Sequence, residues 1–464
     1  MSTAAPAAVG SESIRLSEVI SALSYALDIT EGQPEGHSVR TCLIGMRLAE
    51  ELALTPEQRS SLFYTLLLKD AGCSSNSAET CELFGADDLQ VKRSWKTHDW
   101  STQLGAIAHL ARNVGPDEGP LQRLKRAAGF AFAGPVGTEL VRTRCERGAD
   151  IARMLELAED TAAGIRALDE HWDGRGKPAQ LAGPDIPLLA RIACLCQTVE
   201  IFHSAHGLHA ALGVARERAG RWFDPELVRA LDALEGDAAF WAGLEGPDCR
   251  ERAAALEPAD RVLTADGDRL DRIAHAFARV IDAKSPYTYR HSEGVAAYAV
   301  ATGAVLGFSA EEQRDLRRAA LLHDVGKLGV SNRILDKPGK LTPEEFAAVR
   351  RHPEYTHRIL GRVARFRGLA EVAASHHERM DGRGYHRGIP AGTLPPAARV
   401  LVVADVCDAL SAERPYRAAL PRERVLEIMR ADAGPALCPE CFGALEQALR
   451  ADPALGAPPA LQGA

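Results

Sequence analysis

Apolar residues recur three and four positions apart along nearly the whole chain, the spacing of one buried face on an α-helix. No stretch alternates apolar and polar residues long enough to predict a strand, and Gly and Pro mark the turns between periodic segments. Helix starts are written at three places. Thr55 with Gln58, Ser309 with Glu312, and Thr342 with Glu345 behind Pro343 each place a hydroxyl and a longer polar side chain to satisfy free N–H groups of a first turn. Leu256 to Arg269 is polar and irregular and reads as connecting chain. The expectation is an all-α protein of two tandem helical bundles, 14–236 and 272–450, with a linker over 237–271 and a disordered tail over 451–464.

The two bundles are predicted to be copies of one another. GHSVRTCLIGMRLAEELALTPEQRSSLFYTLLLKDAGC around His37 aligns without gaps on RHSEGVAAYAVATGAVLGFSAEEQRDLRRAALLHDVGK around His291, an offset of 254 residues. This places Lys69-Asp70 on His323-Asp324 and Gly72 on Gly326. The match resumes at an offset of 208, with Glu170 to Gly176 on Glu378 to Gly384 and Arg191 onward on Arg399 onward. FDPELVRALDAL from Phe223 also resembles LCPECFGALEQAL from Leu437. The first copy therefore carries about 46 extra residues between Ser77 and Lys125, including His98 and His109, which read as ordinary polar positions.

Composition narrows the class of protein. The 464 residues are 46% hydrophobic and 25% charged, as in globular proteins of two or three domains. A net charge of −8 and a pI near 6.0 argue against a general nucleic-acid surface. Met1 to Ser13 lacks the basic and apolar regions of a signal peptide, and no run predicts a membrane span, so a cytoplasmic protein is expected. The ten cysteines follow no regular spacing and read as reduced thiols. Cys438-x-x-Cys441 has no second half to complete a zinc site, and Cys194-x-Cys196 lies in an apolar run.

The chemistry lies in an ordered ladder in the second copy: His291, His323-Asp324, His352, His376-His377 and Asp405. Such groups inside apolar helical stretches are costly to bury without a metal partner. His291, His323, Asp324 and Asp405 close one site, and His352 with His376 and His377 supplies a second, bridged by Asp324. Mixed imidazole and carboxylate ligands suit iron, manganese or zinc better than magnesium or calcium. Two such ions would activate water at neutral pH and neutralise a phosphate, which is hydrolytic chemistry on a phosphoester. Lys327 is placed to meet a phosphate oxygen as a point charge.

DAKSPYTYRHSEGVA, LLHDVGKLGVSNRILDKPGKLTPEEF, RRHPE, HHERMDGRGYHRGIP and VADVCDALSAERPYR carry a specific resemblance. Residues 282–442 resemble an HD-GYP domain, a branch of the HD metal-dependent phosphohydrolases that cleaves cyclic di-GMP. The resemblance implies the seven ladder residues as ligands of two divalent ions, iron or manganese first and zinc third. It implies Asp324 and Lys327 in catalysis, and Lys327, Tyr385, Arg414 and Arg417 at the substrate. Cyclic di-GMP is the expected substrate. The alternatives are another cyclic dinucleotide, a nucleotide or a phosphomonoester, or a non-catalytic signalling module. Three positions depart from the pattern. His386 follows Gly384-Tyr385 where proline would rigidify the loop, which puts the substrate in question. Tyr287 replaces the Glu of three-metal members, so two metals are expected. Gly294 replaces a usual Arg.

The first copy lacks the ladder. Lys69, Arg144, Leu168-Asp169 and Gln197 stand at ligand positions, and only His37 and Asp70 survive. Fixed cations there repel a divalent ion. This half reads as a degenerate HD domain that packs on its sibling, forms a homodimer or receives a regulatory protein; neither nucleic acid nor membrane is an expected partner.

Overall fold

The computed structural model describes residues 14–97, 110, 112–132, 136–258, 262–288, 290–413 and 418–455. His98, His109, Arg414 and Arg417 lie outside them. The described residues are overwhelmingly helical, and all three expected capping boxes form at Thr55, Ser309 and Thr342. The first half is built on helices His37–Glu51, Pro56–Leu68, Val136–Met154, Glu159–Arg166 and Leu188–His206. The second repeats them with His291–Val305, Ala310–Leu322, His352–Leu360, Arg367–Ala374 and Pro396–Ser411.

The internal repeat is visible atom by atom. Asp28 accepts hydrogen bonds from the amide and hydroxyl of Ser38, and Asp282 does the same for Ser292. A Cβ on Gly72 would run into the Arg144 carbonyl oxygen, and one on Gly326 into that of His352. These close backbone approaches explain glycine at both places. Glu170 gathers the amides of Ala179 and Leu181, as Glu378 gathers those of Arg387, Gly388 and Ile389.

Three features differ from the sequence expectation. Ile14–Arg15 pairs antiparallel with Thr264–Ala265, a two-residue ladder too short to show any alternation. The 237–271 stretch contains helices Ala238–Gly243 and Cys249–Ala255, whose Trp241 and Ala253 are buried in the common core. Helices of six and seven residues are too short to show a period in the sequence. The expected tail begins ordered, since Leu455 packs on the core and its carbonyl accepts from Arg422. One helix, Leu188–His206, is long and apolar enough to cross a bilayer by length and composition. It is mostly buried and carries Gln197 and Glu200, as a core helix does.

The main apolar core runs from Leu16 to Leu449 through both halves, with two small clusters around Phe84 and Ile186 beside it. Polar contacts reinforce the junction. Arg362 lies 4.0 Å over the Tyr25 ring and also pairs with Glu35. Deeper in, Asp88 from the extra segment of the first half accepts from Lys284 at 3.1 Å, the Asn332 amide at 2.8 Å and the Ser331 hydroxyl at 3.1 Å. Asp88, Lys284 and Asn332 are all buried. Asn332 also donates to the Lys284 carbonyl and to Asp336, joining the segment before His291 to the segment after Lys327.

Candidate metal centre

Three of the ladder imidazoles are aimed by their own backbone. His323, His352 and His376 stand at the ends or starts of helical segments, and each Nδ1 donates to the carbonyl three residues earlier, Ala320, Val349 and Ala373, at 2.6–2.7 Å. This fixes the tautomer and leaves each Nε2 as a lone-pair donor facing inward. His291 starts its helix and donates from Nδ1 to Asp408 at 2.6 Å. Its Nε2 then faces Asp405 at 3.3 Å and Asp324 at 3.6 Å.

Asp324 stands between two sets. Its Oδ2 lies 3.3 Å from His323 and 3.6 Å from His291. Its Oδ1 lies 3.4 Å from His352 and 3.5 Å from His376. Ligand-type atoms of His291, His323 and Asp324 gather in one group, those of His352, His376 and His377 in a second, and those of His323, His376 and Asp405 in a third.

The donor set fits cations. The Nε2 atoms of His352 and His376 face each other at 2.9 Å, although both Nδ1 protons are committed elsewhere. Two lone pairs at that distance repel unless a positive charge lies beside them. Burial outweighs the opposing Asp324 charge and, with Lys327 nearby, holds the His352 imidazole far below its ordinary value, so it stays neutral and able to ligate. His323 Nε2 and Asp324 Oδ1 are buried without any hydrogen-bond partner. Burial pushes the Asp324 carboxyl up, but the electrostatic pull of the His323 ring and the Lys327 ammonium outweighs it, and the group lies well below the carboxylate range.

Lys327 donates to Asp324 Oδ2 at 2.5 Å from the partly open side of the centre. Tyr385 does not reach the ladder carboxylates; its ring lies against His377, centroids 4.6 Å apart. The arginines at 414 and 417 have no described position. Two further residues escaped sequence reading. Asp408 orients His291, and its signal was its place one helical turn after Asp405. Thr356 donates to the His323 carbonyl and accepts from Gly326, fixing the turn between the doublet and Lys327. Gly294 faces Asp408, where a Cβ would collide with the carboxylate.

His386 adopts φ of +29°, a left-handed conformation that proline, fixed near −65°, cannot take. The loop is therefore not a proline loop with its proline missing. His386→Gly is expected to raise stability by about 1 kcal/mol through relief of Cβ crowding, and His386→Pro to lower it; urea midpoints of the two variants check both signs.

The first half holds fixed cations in the corresponding place. The Lys69 ammonium sits between His37 Nε2, at 3.0 Å, and Asp70, with which it pairs. Lys96 reaches Asp70 at 3.0 Å and Glu31 at 2.9 Å. Glu31, Asp70 and Cys73 could geometrically hold an ion, but these ammonium groups already serve the two carboxylates. Arg144 turns to Asp169. Glu200 orients His37 as Asp408 orients His291, and Arg40, at the position of Gly294, also binds it at 2.6 Å. Burial opposes the ionised form of Glu200, yet the His37 charge, its hydrogen bond and Arg40 bring the carboxyl down to about 2. The unfolded carboxyl titrates near 4.5. The stability this group contributes is thus complete above that pH and disappears as pH falls towards 2. Glu200→Gln is expected to be less stable than the parent at neutral pH, with the gap in urea midpoints closing below about pH 4.5.

The HD domain family matches residues 86–227 and 275–437, together more than half of the chain. The chain belongs to the HD domain family. The resemblance read from the second copy stands, and the HD domain match over 86–227 reaches the degenerate copy as well. Among its relatives, the 3'3'-cGAMP-specific phosphodiesterase 3 of Vibrio cholerae is 45% identical over 443 residues, covering 95% of this chain and 96% of that protein. The cyclic di-GMP phosphodiesterase response regulator RpfG of Xanthomonas campestris is 36% identical over 201 residues, 42% of this chain and 53% of that one. The crystal structure of a cyclic GMP-AMP specific phosphodiesterase of V. cholerae, V-cGAP3, superimposes with a TM-score of 0.66 at 42% identity, covering 94% of this chain and 98% of that one. This HD domain protein is a metal-dependent phosphohydrolase; its kin, its helical fold and its donor set agree.

Proposed function

We propose that the second HD domain hydrolyses a phosphodiester of a 3'3'-linked cyclic dinucleotide, with 3'3'-cGAMP preferred and cyclic di-GMP as the second reading. The observation that carries the site is Asp324, which presents one oxygen to His291 and His323 and the other to His352 and His376. The near full-length likeness to a 3'3'-cGAMP-specific enzyme supports the preferred substrate, and the departure at His386 is consistent with it. The shorter likeness to a cyclic di-GMP enzyme supports the second.

His291, His323, Asp324 and Asp405 would hold one divalent ion and His352, His376 and His377 another, with Asp324 shared. Iron or manganese suits this set, and zinc is the third choice. When bound, such ions supply Lewis-acid activation of water and neutralisation of phosphate charge. The chain supplies the rest. Asp324 stays ionised across neutral pH and offsets the cations' charge. Lys327 presents a fixed positive charge at the open side for a non-bridging phosphate oxygen. Asp408 keeps His291 in one orientation.

The test is metal analysis of protein purified at low oxygen, followed by turnover of 3'3'-cGAMP, cyclic di-GMP, cyclic di-AMP and a phosphomonoester. Two metals per chain and fastest cleavage of 3'3'-cGAMP are expected. Turnover of the phosphomonoester alone would overturn the reading.

A further inference from the structure

Phe346 is a large apolar side chain left 46% exposed. Isolated surface aromatics are ordinary, but this one is held in a particular setting. It stands on the short helix Pro343–Val349, just before His352. Its ring meets that of Tyr385 edge to face, centroids 6.3 Å apart at 75°. Tyr385 lies in turn against His377, and His377 against His352, 5.0 Å away. A wall of rings thus leads outward from the candidate metal centre to solvent. The Arg350 guanidinium lies 5.0 Å from the Tyr385 centroid and 5.8 Å from that of Phe346. Among the described residues no carboxylate lies within ion-pair distance of Arg350, so its planar charge is directed at the two rings.

An exposed aromatic edge with a guanidinium over it provides faces on which a flat heteroaromatic ring can stack, and base stacking on such side chains tolerates any purine. We propose that Phe346 and Arg350 form a purine-stacking subsite that holds one base of the cyclic dinucleotide while its phosphodiester lies at Asp324 and Lys327. This rests on the cyclic dinucleotide reading above. Stacking acts on the bound base in the ground state and the transition state alike. Its loss therefore raises KM and leaves kcat in place.

The experiment compares Phe346→Ala, Phe346→Trp and Arg350→Ala with the parent full-length, metal-loaded protein. Substrates are 3'3'-cGAMP, cyclic di-GMP and methyl p-nitrophenyl phosphate, a diester without a purine. The two alanine variants are expected to raise KM for the cyclic dinucleotides by about 10-fold. Their kcat, metal content and rate on the small diester should stay at parent values, and Phe346→Trp should keep the parent KM. An unchanged KM in both alanine variants, with the parent active on cyclic dinucleotides, overturns the subsite. So does a fall in metal content or a matching loss on the small diester, which would make Phe346 structural. A parent that cleaves the small diester and no cyclic dinucleotide overturns the substrate reading instead.

Discussion

Asp324→Ala is expected to bind fewer than two metals per chain and to lose phosphodiester turnover by more than about 100-fold, the upper end seen when only an outer partner of a metal ligand is removed. The reason is geometric. Among the described residues Asp324 is the one carboxylate whose two oxygens face four separate imidazoles, so its removal takes an anion from both candidate ion positions at once. It also leaves the Lys327 ammonium without its 2.5 Å partner beside a cluster whose remaining carboxylate is Asp405. Asp324→Asn keeps the shape and removes the charge. Near-identical losses in the two variants would show that charge matters more than packing. Metal analysis and circular dichroism on the same samples separate loss of the site from loss of the fold. Full metal content with parent turnover in Asp324→Ala would remove this site from the chemistry.

The second large effect belongs to the half without a ladder. Asp70→Ala is expected to destabilise the protein by about 3–5 kcal/mol, the range for breaking a buried ion pair and stranding one partner. Here two partners are stranded. Lys69 is left with His37 alone, and Lys96 keeps only Glu31. The metal stoichiometry of the second half should stay at the parent value. Urea unfolding at neutral pH with parallel metal analysis reads both quantities. A parent-like midpoint would show that the ammonium cluster does not stabilise this half.

The helical fold and the ladder were legible in the sequence because each depends on residue types with few substitutes. Helical spacing, capping hydroxyls and glycines under a carbonyl are local demands, and the repeat wrote them twice. Metal-ligand side chains are likewise few in kind, so their order stood out. Contacts set by the other partner's position were not legible. Lys96 and Asp88 fall in the extra segment of the first half, which aligns with nothing in the second, so no comparison could mark them. Asp408 was within reach, since it shares a helix face with Asp405 and its counterpart Glu200 survives in the degenerate copy. The conformation of His386 was not, because a free φ gives no sequence sign of which basin it occupies. The short helices between the halves were hidden because six or seven residues are too few to show a helical period, their burial being decided by the first-half helices they pack on.

The Asp88 contact has a consequence for descent. A duplicated domain that has lost its chemistry is ordinarily free to drift or be deleted. In this chain the degenerate copy supplies the carboxylate that neutralises a buried lysine of its active sibling. Excising the first copy would take away both the carboxylate that pairs with Lys284 and the surface that Asp88 packs over it. A lineage could shed the first half only after first repairing the second. The duplication is thereby locked, and the two copies are inherited as one unit.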